Sequence, residues 1–462
     1  MEIDHNAPAQ LPMQGDRVPN GKSDGWTGRA SGLSVAEVRT LALASLGSAL
    51  EFYDFVVFVF FTAVIGKLFF PASLPDWVRQ LETFGIFAAG YLVRPLGGLV
   101  LAHFGDTRGR KRVFTASVLL MALATLLIGF LPTYSSIGVA APLLLLAMRM
   151  LQGMAIGGEV PGAMVFAAEH ARPGSAGLAL GLLCAGLTCG ILIGSLVAMS
   201  LNAAFSPAQI IGGYWRLPFL IGGVLGFLAM LLRRWLSETP VFRELQKHST
   251  LAPELPLRTL LRSYRPAVAV AVLSTWMLTG VILVLLLMTP ALLQSLFRVA
   301  AHQALLANFA GTAAQCAASV AVGVAVDRFG IRRVAIPSSL FLIAATYALY
   351  IGAARLPSAL VPLYILAGLG AGALVLAPLV MVQLFPPAVR FTGVSFSYNI
   401  CYSVLGGLTP LLVSALAHLN SLSPAHYVAG VTVLGMIAVL RPRPGCSTGA
   451  ATPTGEKTFA AT

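Results

Sequence analysis

The sequence predicts an all-α membrane protein whose twelve transmembrane helices form two six-helix, pseudo-symmetric halves. Three observations carry that prediction. Of the 462 residues, 57% are apolar and only 10% are charged, where a soluble chain averages about 25% charged. Apolar runs punctuated by Gly, Pro and charge recur along the chain, and twelve helices of about 21 residues would take roughly 250 residues. What remains holds short loops, one connector and two tails, but no sizeable soluble domain. Finally, a basic loop motif occurs twice, once in each half of the chain.

The elements follow in order. Residues 1–39 carry Pro8, Pro12, Pro19, several Gly and mixed charges without the apolar stretch of a cleavable signal, which predicts a disordered cytoplasmic tail. Spans are expected near 40–65, 83–104, 113–131, 140–166, 176–202 and 214–236, making a first half over 40–236. A basic, Pro-containing cytoplasmic linker over 237–265 leads to a second half over 266–441. Its spans are expected near 303–326, 334–354, 357–384, 391–417 and 425–441, after a first one near 266–293. A second tail, Pro/Thr/Gly-rich and without heptads, covers 442–462.

Charge orients these spans. The net charge of +13 would suggest nucleic acid in a soluble chain, but here the cations sit in loops between apolar runs. That distribution calls for a lipid bilayer as partner and no nucleic acid. The odd loops carry five cations, Lys67, Arg79, Arg216, Arg298 and Arg355, while the even loops and tails carry 23. Because Lys and Arg are retained on the cytoplasmic side, both termini are expected in the cytoplasm, with the chain multi-pass in the inner membrane. Cys184, Cys189, Cys316 and Cys401 lie inside apolar spans without ligand spacing, so they read as packing residues, and neither a metal site nor a disulfide framework is expected.

The repeat is legible residue by residue. Gly105-Asp106-Thr107-Arg108-Gly109-Arg110-Lys111-Arg112 after span 2 returns as Val326-Asp327-Arg328-Phe329-Gly330-Ile331-Arg332-Arg333 after span 8. Arg172 to Gly177 after span 4 is echoed by Arg390 to Gly393 after span 10. Two halves built on one plan, related by an axis along the membrane normal, are a transporter architecture with the substrate site between them near the midplane.

The run Gly105 to Arg112 and its second copy resemble the loop signature of the major facilitator superfamily. Within it, four further segments resemble the metabolite:H+ symporters. They are Leu50-Glu51-Phe52-Tyr53-Asp54-Phe55, Arg94-Pro95-Leu96-Gly97-Gly98, Arg149-Met150-Leu151-Gln152-Gly153 running to Gly157-Gly158-Glu159, and Ser237-Glu238-Thr239-Pro240. The resemblance covers about residues 40–440. It implies the superfamily's fold, alternating access, function as a monomer without a cofactor, and a small-molecule substrate carried with H+. Known members import citrate, 2-oxoglutarate, shikimate and related carboxylates, or the zwitterions proline and betaine.

The loop signature has its own chemistry. Gly105 and Gly109 permit a tight turn, Asp106 can accept from backbone N–H groups or Arg side chains, and Arg110 can meet carboxylates or helix C-termini of the other half. With the second-copy residues Asp327 and Arg332, these are the expected cytoplasmic gate. Lys111 and Arg112 either join it or only anchor topology.

Ionisable residues inside the spans carry the functional argument, because a charge at the bilayer centre costs at least about 3 kcal/mol and needs a partner, a wet cavity or a substrate. Glu51 and Asp54 share one face of span 1, Arg94 lies halfway along span 2, and Arg149 lies roughly 13 Å into span 4 from the outer side at 1.5 Å per residue. Glu159 lies deeper and Glu169 at the helix end. Arg94 and Arg149 offer planar forks that match a carboxylate; alternatively they pair with Asp54 and Glu51 as internal glue. Tyr53, Gln152, Trp276 and Asn399 are expected beside the substrate, and Asn308, Gln315, Tyr398 and Tyr402 also qualify as second-half cavity lining. Proton coupling needs a carboxylate whose proton affinity changes between states; Asp54 is favoured over Glu51 and Glu159.

The expected function is therefore secondary active import of a small organic acid (mono-, di- or tricarboxylate) with protons. A proline/betaine-type zwitterion:proton symporter is the nearest rival, followed by a transporter-like sensor. No Walker sequence, Gly-x-Gly-x-x-Gly loop or nucleophile elbow supports an ATP-driven pump or an enzyme, and span 5 lacks the Gly-Pro pair usual in drug/proton antiporters.

Overall fold

In the computed structural model, residues 35–233 and 256–441 are described. The tails and most of the linker, including Ser237 to Pro240, lie outside the described residues, as do the side chains of Glu51, Asp106 and Arg110. Among the described residues eleven helices are long and apolar enough to cross a membrane, and a bent pair makes the twelfth span. Helices dominate because the bilayer interior supplies no hydrogen-bonding solvent, so each span must satisfy its own backbone.

The spans are α1 (Val35–Phe60), α2 (Asp76–Arg108), α3 (Arg110–Phe130), α4 (Ala140–His170), α5 (Ala176–Ala204) and α6 (Leu217–Arg233). They continue with α7 (Arg265–Phe297), α8 (Ala301–Phe329), α9 (Ile331–Arg355), α10 (Leu360–Leu384), α11 (Arg390–Leu419, in three segments) and α12 (Ser423–Leu440). Several differ from the sequence expectation. The first span bends by 66° between Phe60 and the short helix Thr62–Phe69, where the Thr62 hydroxyl donates to the carbonyls of Phe58 and Val59. α2 extends outward to Asp76, while its apolar span, Gly85–Gly105, falls where the sequence places it. Around mid-membrane α7 is π-helical over Ile282–Met288, α10 is a tight 3-10 stretch over Ala371–Val375, and α11 is π-helical over Tyr402–Gly406. Such local rewinding marks sites of function or hinging more often than chance.

Polarity is turned inside out relative to a soluble protein. Along α2, Leu92, Leu96 and Val100 form an exposed stripe at helical spacing, while Arg94 is 3% exposed and faces inward. In the bilayer the stripe faces lipid and the arginine faces the bundle. α1 packs along α5, α2 along α4, α8 along α10, and α7 along α12. At Gly190 a side chain would run into the Ala49 backbone of α1, so α1 and α5 approach closely only because residue 190 has none.

The loops bearing Arg108 to Arg112, Arg172, Arg328 to Arg333 and Arg390 share one end of the bundle, here termed the basic face. Its two copies of the sequence motif turn alike: α2 passes to α3 through Gly109 at φ 111°, and α8 to α9 through Gly330 at φ 84°. Both are left-handed positions open chiefly to glycine. Contacts between the first six and the last six spans are strong here: α5 runs along α8, and α11 packs on α2 and α4. The structure is therefore closed at the basic face.

Candidate functional site

Two adjoining cavities lie between the first six and the last six spans. One is bounded on one side by Phe52, Asp54, Phe87, Arg94, Arg149 and Gln152, and on the other by Ile282, Leu283, Leu287 and Tyr402. The second shares the walls Phe52, Ile282 and Tyr402 and is lined as well by Thr188, Leu278, Leu286, Gln315, Leu374 and Tyr398. The π-helical turns of α7 and α11 supply Ile282, Leu283, Leu287 and Tyr402, so the rewound segments form the wall itself.

A buried polar network sits in the first cavity. Asp54 Oδ2 accepts from Gln152 Nε2 at 2.6 Å and from Arg149 Nη1 at 3.3 Å. The same Nη1 donates to Gln152 Oε1 at 2.8 Å, and Gln152 Nε2 donates to Thr125 Oγ1 at 2.8 Å, whose hydroxyl is donated to the Met121 carbonyl. One turn of α4 brings Arg149 and Gln152 to one face, which is why the i, i+3 spacing makes a single network. Asp54 and Arg149 are 2% and 5% exposed, so an ion pair stands where solvation is lost and partners must supply what water would. Among the described residues Asp54 Oδ1 and Arg149 Nε have no hydrogen-bond partner. The Arg149 guanidinium also lies 4.2 Å from the Phe58 ring centre and 5.1 Å from that of Phe87.

Arg94 is held differently. Its guanidinium carbon is 4.7 Å from the Tyr402 ring centre, 5.1 Å from that of Tyr91 and 5.7 Å from that of Tyr398. Three aromatic faces from α2 and α11 thus gather round one cation, which attracts each ring's quadrupole.

The sequence-predicted residues distribute unevenly over this geometry. Asp54, Arg94, Arg149 and Gln152 come together at the first cavity, and Gln315, Tyr398 and Tyr402 line one or both. Three others are not among the residues that line these two cavities. Tyr53 donates to the Pro218 carbonyl of α6, Trp276 donates to the Tyr427 hydroxyl of α12, and Asn399 donates to the Gly157 carbonyl of α4. Glu159 accepts from Ser117 of α3 at 2.6 Å, tying neighbouring helices. Glu51 is on α1, but its side chain lies outside the described ones. The cavity residues Phe87 and Tyr91, and Thr125 and Phe58 that touch Gln152 and Arg149, had no signal in the sequence beyond their spacing from Asp54, Gln152 and Arg94.

Hydrogen bonds cross between the two sets of spans both beside the first cavity and toward the basic face. Ser403 donates to the Tyr91 carbonyl, while Ser395 and Asn399 donate to the Gly157 carbonyl. At the basic end Asp327 of α8 accepts from the N–H groups of Gly177 and Leu178, at 2.6 and 2.7 Å. These are the second and third residues of α5, so Asp327 caps that helix from across the interface, where orphan donors and the helix dipole both favour a carboxylate. Arg390 Nη1 donates to Glu169 Oε1 at 2.8 Å, a pair from α11 and α4. Gly105 is packed against the Phe391 ring of α11, Gly109 makes the turn described above, and Arg332 is exposed. Midway along the same interface Cys189 Sγ of α5 and Cys316 Sγ of α8 are 3.8 Å apart, both as free thiols.

Comparison with known proteins follows this geometry. Residues 55–299 match the family described as the Major Facilitator Superfamily. The chain is 30% identical over 411 residues to the citrate-proton symporter of Klebsiella pneumoniae, covering 87% of this chain and 91% of that protein. It is 30% identical over 425 residues to the proline/betaine transporter of Escherichia coli, covering 86% of this chain and 82% of the relative. Among solved structures it is similar to a proton:xylose symporter bound to 6-bromo-6-deoxy-D-glucose, with a TM-score of 0.72 at 15% identity, covering 87% of this chain and 94% of that one. At that identity the likeness is one of fold.

Proposed function

This chain belongs to the Major Facilitator Superfamily and is a multi-pass membrane transporter, not an enzyme; from that premise we propose that it imports a small organic acid with protons across the inner membrane. The observation that carries this reading is the buried Asp54–Arg149–Gln152 network in the wall of the central cavity. A carboxylate substrate and a proton can compete there for one pair. A proton on Asp54 removes the charge that holds Arg149 Nη1, and the freed fork then meets the substrate carboxylate. The substrate in turn stabilises the protonated Asp54 by occupying its cation. Binding of each favours the other, which is what symport requires.

Both termini and the basic face are assigned to the cytoplasm, as the excess of Lys and Arg there supports. The structure is then the cytoplasm-closed state. The first and last six spans rock as bodies about the cavity, and the contacts at Asp327 and at Glu169–Arg390 break as the cytoplasmic side opens. Asp106 and Arg110 belong to the same gate by the repeat of Asp327 in the second motif. The chain works as a monomer in this scheme, since the cavity is complete within it.

The relative named as a proline/betaine transporter favours a second reading, a zwitterion:proton symporter. An aromatic cage is the usual host of a quaternary ammonium, yet here Tyr91, Tyr398 and Tyr402 already surround the protein's own Arg94. The carboxylate reading is therefore preferred. Uptake into proteoliposomes with an inside-alkaline gradient decides between them: gradient-dependent accumulation of carboxylates that ionophore abolishes is expected, and accumulation of betaine or proline alone would overturn it.

A further inference from the structure

We propose that Gln315 of α8 is a specificity-determining residue: its amide receives a hydroxyl carried by the transported acid, so that acids bearing one are preferred over their deoxy counterparts. This rests on the carboxylate reading of the adjoining cavity and holds for acids with one carboxylate or several.

A glutamine in a membrane span is expensive unless its amide is served. Over residues 311–326 of α8 the others are Gly, Ala, Val, Thr, Ser and Cys, so Gln315 stands alone there as a long polar side chain. Its neighbour Cys316 meets Cys189 of α5, whereas Gln315 lines the second cavity and is 3% exposed. The Oε1 atom of Gln315 has no hydrogen-bond partner among the described residues. Gln152 in the first cavity is the contrast, because its Oε1 accepts from Arg149 and its Nε2 donates to Asp54 and Thr125. The network around Gln152 is complete within the protein, and the Gln315 end is not.

The surroundings say what completes it. Among the residues of α7, α8 and α10 that line the second cavity, Leu278, Ile282, Leu286 and Leu374 are apolar and Gln315 is the polar one. Across from them on α5 the Thr188 hydroxyl is already donated to the Cys184 carbonyl. A buried amide oxygen without a donor is costly, and a ligand that brings one removes that cost. An ionised carboxylate cannot, since it only accepts; a hydroxyl can, and because it both donates and accepts it fits either side of the amide. With its carboxylate at Arg149 of α4 and its hydroxyl at Gln315 of α8, the substrate touches both halves. Its binding then favours the state in which the halves are closed around it.

The test is competition binding to the full-length protein with three pairs of acids that differ by one hydroxyl: malate and succinate, citrate and tricarballylate, 4-hydroxybenzoate and benzoate. The pairs set the hydroxyl at different distances from the carboxylate. Expected is at least one pair in which the hydroxylated acid binds about tenfold tighter or more. Gln315→Met, a close match in shape, is expected to lose that preference while still binding the deoxy acid, and Gln315→Leu is the second variant. In wild-type protein alone, the acid with fluorine in place of that hydroxyl is expected to fall to the deoxy level, because fluorine cannot donate. No preference in any pair overturns the proposal and leaves the carboxylate reading intact. So does a fluorinated acid that binds as tightly as the hydroxylated one, or a preference that persists in a variant that still binds the deoxy acid. Binding of none of the six acids to folded protein, with or without binding of betaine, overturns the carboxylate reading and this proposal with it.

Discussion

Asp54 carries two obligations, to hold Arg149 while charged and to let go when protonated, and its two oxygens divide them. Oδ2 takes both hydrogen bonds, at 2.6 and 3.3 Å, and Oδ1 takes none among the described residues. Asp54→Asn keeps the shape but cannot cycle a proton. Its expected phenotype is loss of accumulation driven by a pH gradient with substrate exchange retained, read as counterflow without net uptake; normal accumulation would take Asp54 out of the coupling. Arg149→Gln should abolish carboxylate uptake. Arg149→Lys should restore only part of it, because an ammonium lacks the planar fork and stacks poorly on Phe58 and Phe87. A loss of two or more charge-assisted hydrogen bonds in the bound state corresponds to roughly 3 kcal/mol, or about a hundredfold in affinity. Depth along each span brought Asp54, Arg94 and Arg149 within reach of one another on paper, since 1.5 Å per residue places side chains by height. Height does not give facing. Tyr53, Trp276 and Asn399 stand at plausible depths, yet they bond Pro218, Tyr427 and Gly157 instead of lining the two cavities.

At the level of helices, composition revealed the spans but not their interruptions. The 66° bend after Phe60 and the π-helical turns in α7 and α11 lie within runs as apolar as any other, so hydropathy is blind to them. The π-helical turns matter because they line the cavity, and a helix that changes hydrogen-bond register there can change again as the site opens. Glycines recur every four residues in α5, at Gly186, Gly190 and Gly194, and Gly190 lies against the Ala49 backbone. Gly190→Val would drive α1 and α5 apart and is expected to cost about 1–3 kcal/mol by overpacking, seen as a lowered Tm of the purified protein. The cysteines show where the sequence reading stopped short: taken one by one they are packing residues, yet Cys189 and Cys316 face each other across α5 and α8. If α5 and α8 separate during transport, cross-linking these thiols with a copper–phenanthroline oxidant should stop uptake and a dithiol reductant should restore it. Cys316→Ser should be indifferent to the same oxidant, and unimpaired uptake by the cross-linked protein would mean that α5 and α8 stay together at that level throughout the cycle.

For the molecule as a whole, the repeat explains how the closed end is built. Arg390 opens the second-half echo of Arg172 to Gly177, and its partner Glu169 lies at the end of α4 just before the first copy, so the pair joins corresponding segments of the two halves. Asp327 reaches across to the start of α5. Such a latch must be firm enough to seal the cavity yet weak enough for a bound substrate to break. Charge-assisted hydrogen bonds of about 1.5–3 kcal/mol each fit that demand, because moving an equilibrium from one side to the other takes about 5.5 kcal/mol. Glu169→Arg or Arg390→Glu alone should replace attraction by repulsion and populate the state open at the basic face. Maleimide labelling of a cysteine introduced at Ser395, otherwise buried beneath the cavity, should then quicken by tenfold or more, about 1.4 kcal/mol. Glu169→Arg combined with Arg390→Glu rebuilds the pair in reverse and should bring labelling and uptake back toward wild type. Asp327 allows no such exchange, since its partners are backbone N–H groups and a helix N-terminus that attract a carboxylate and repel a cation. Asp327→Asn should therefore quicken labelling with no second-site charge able to reverse it, whereas rescue by a reversed charge at Arg332 or Arg328 would mean that the latch is a side-chain ion pair and not a helix cap.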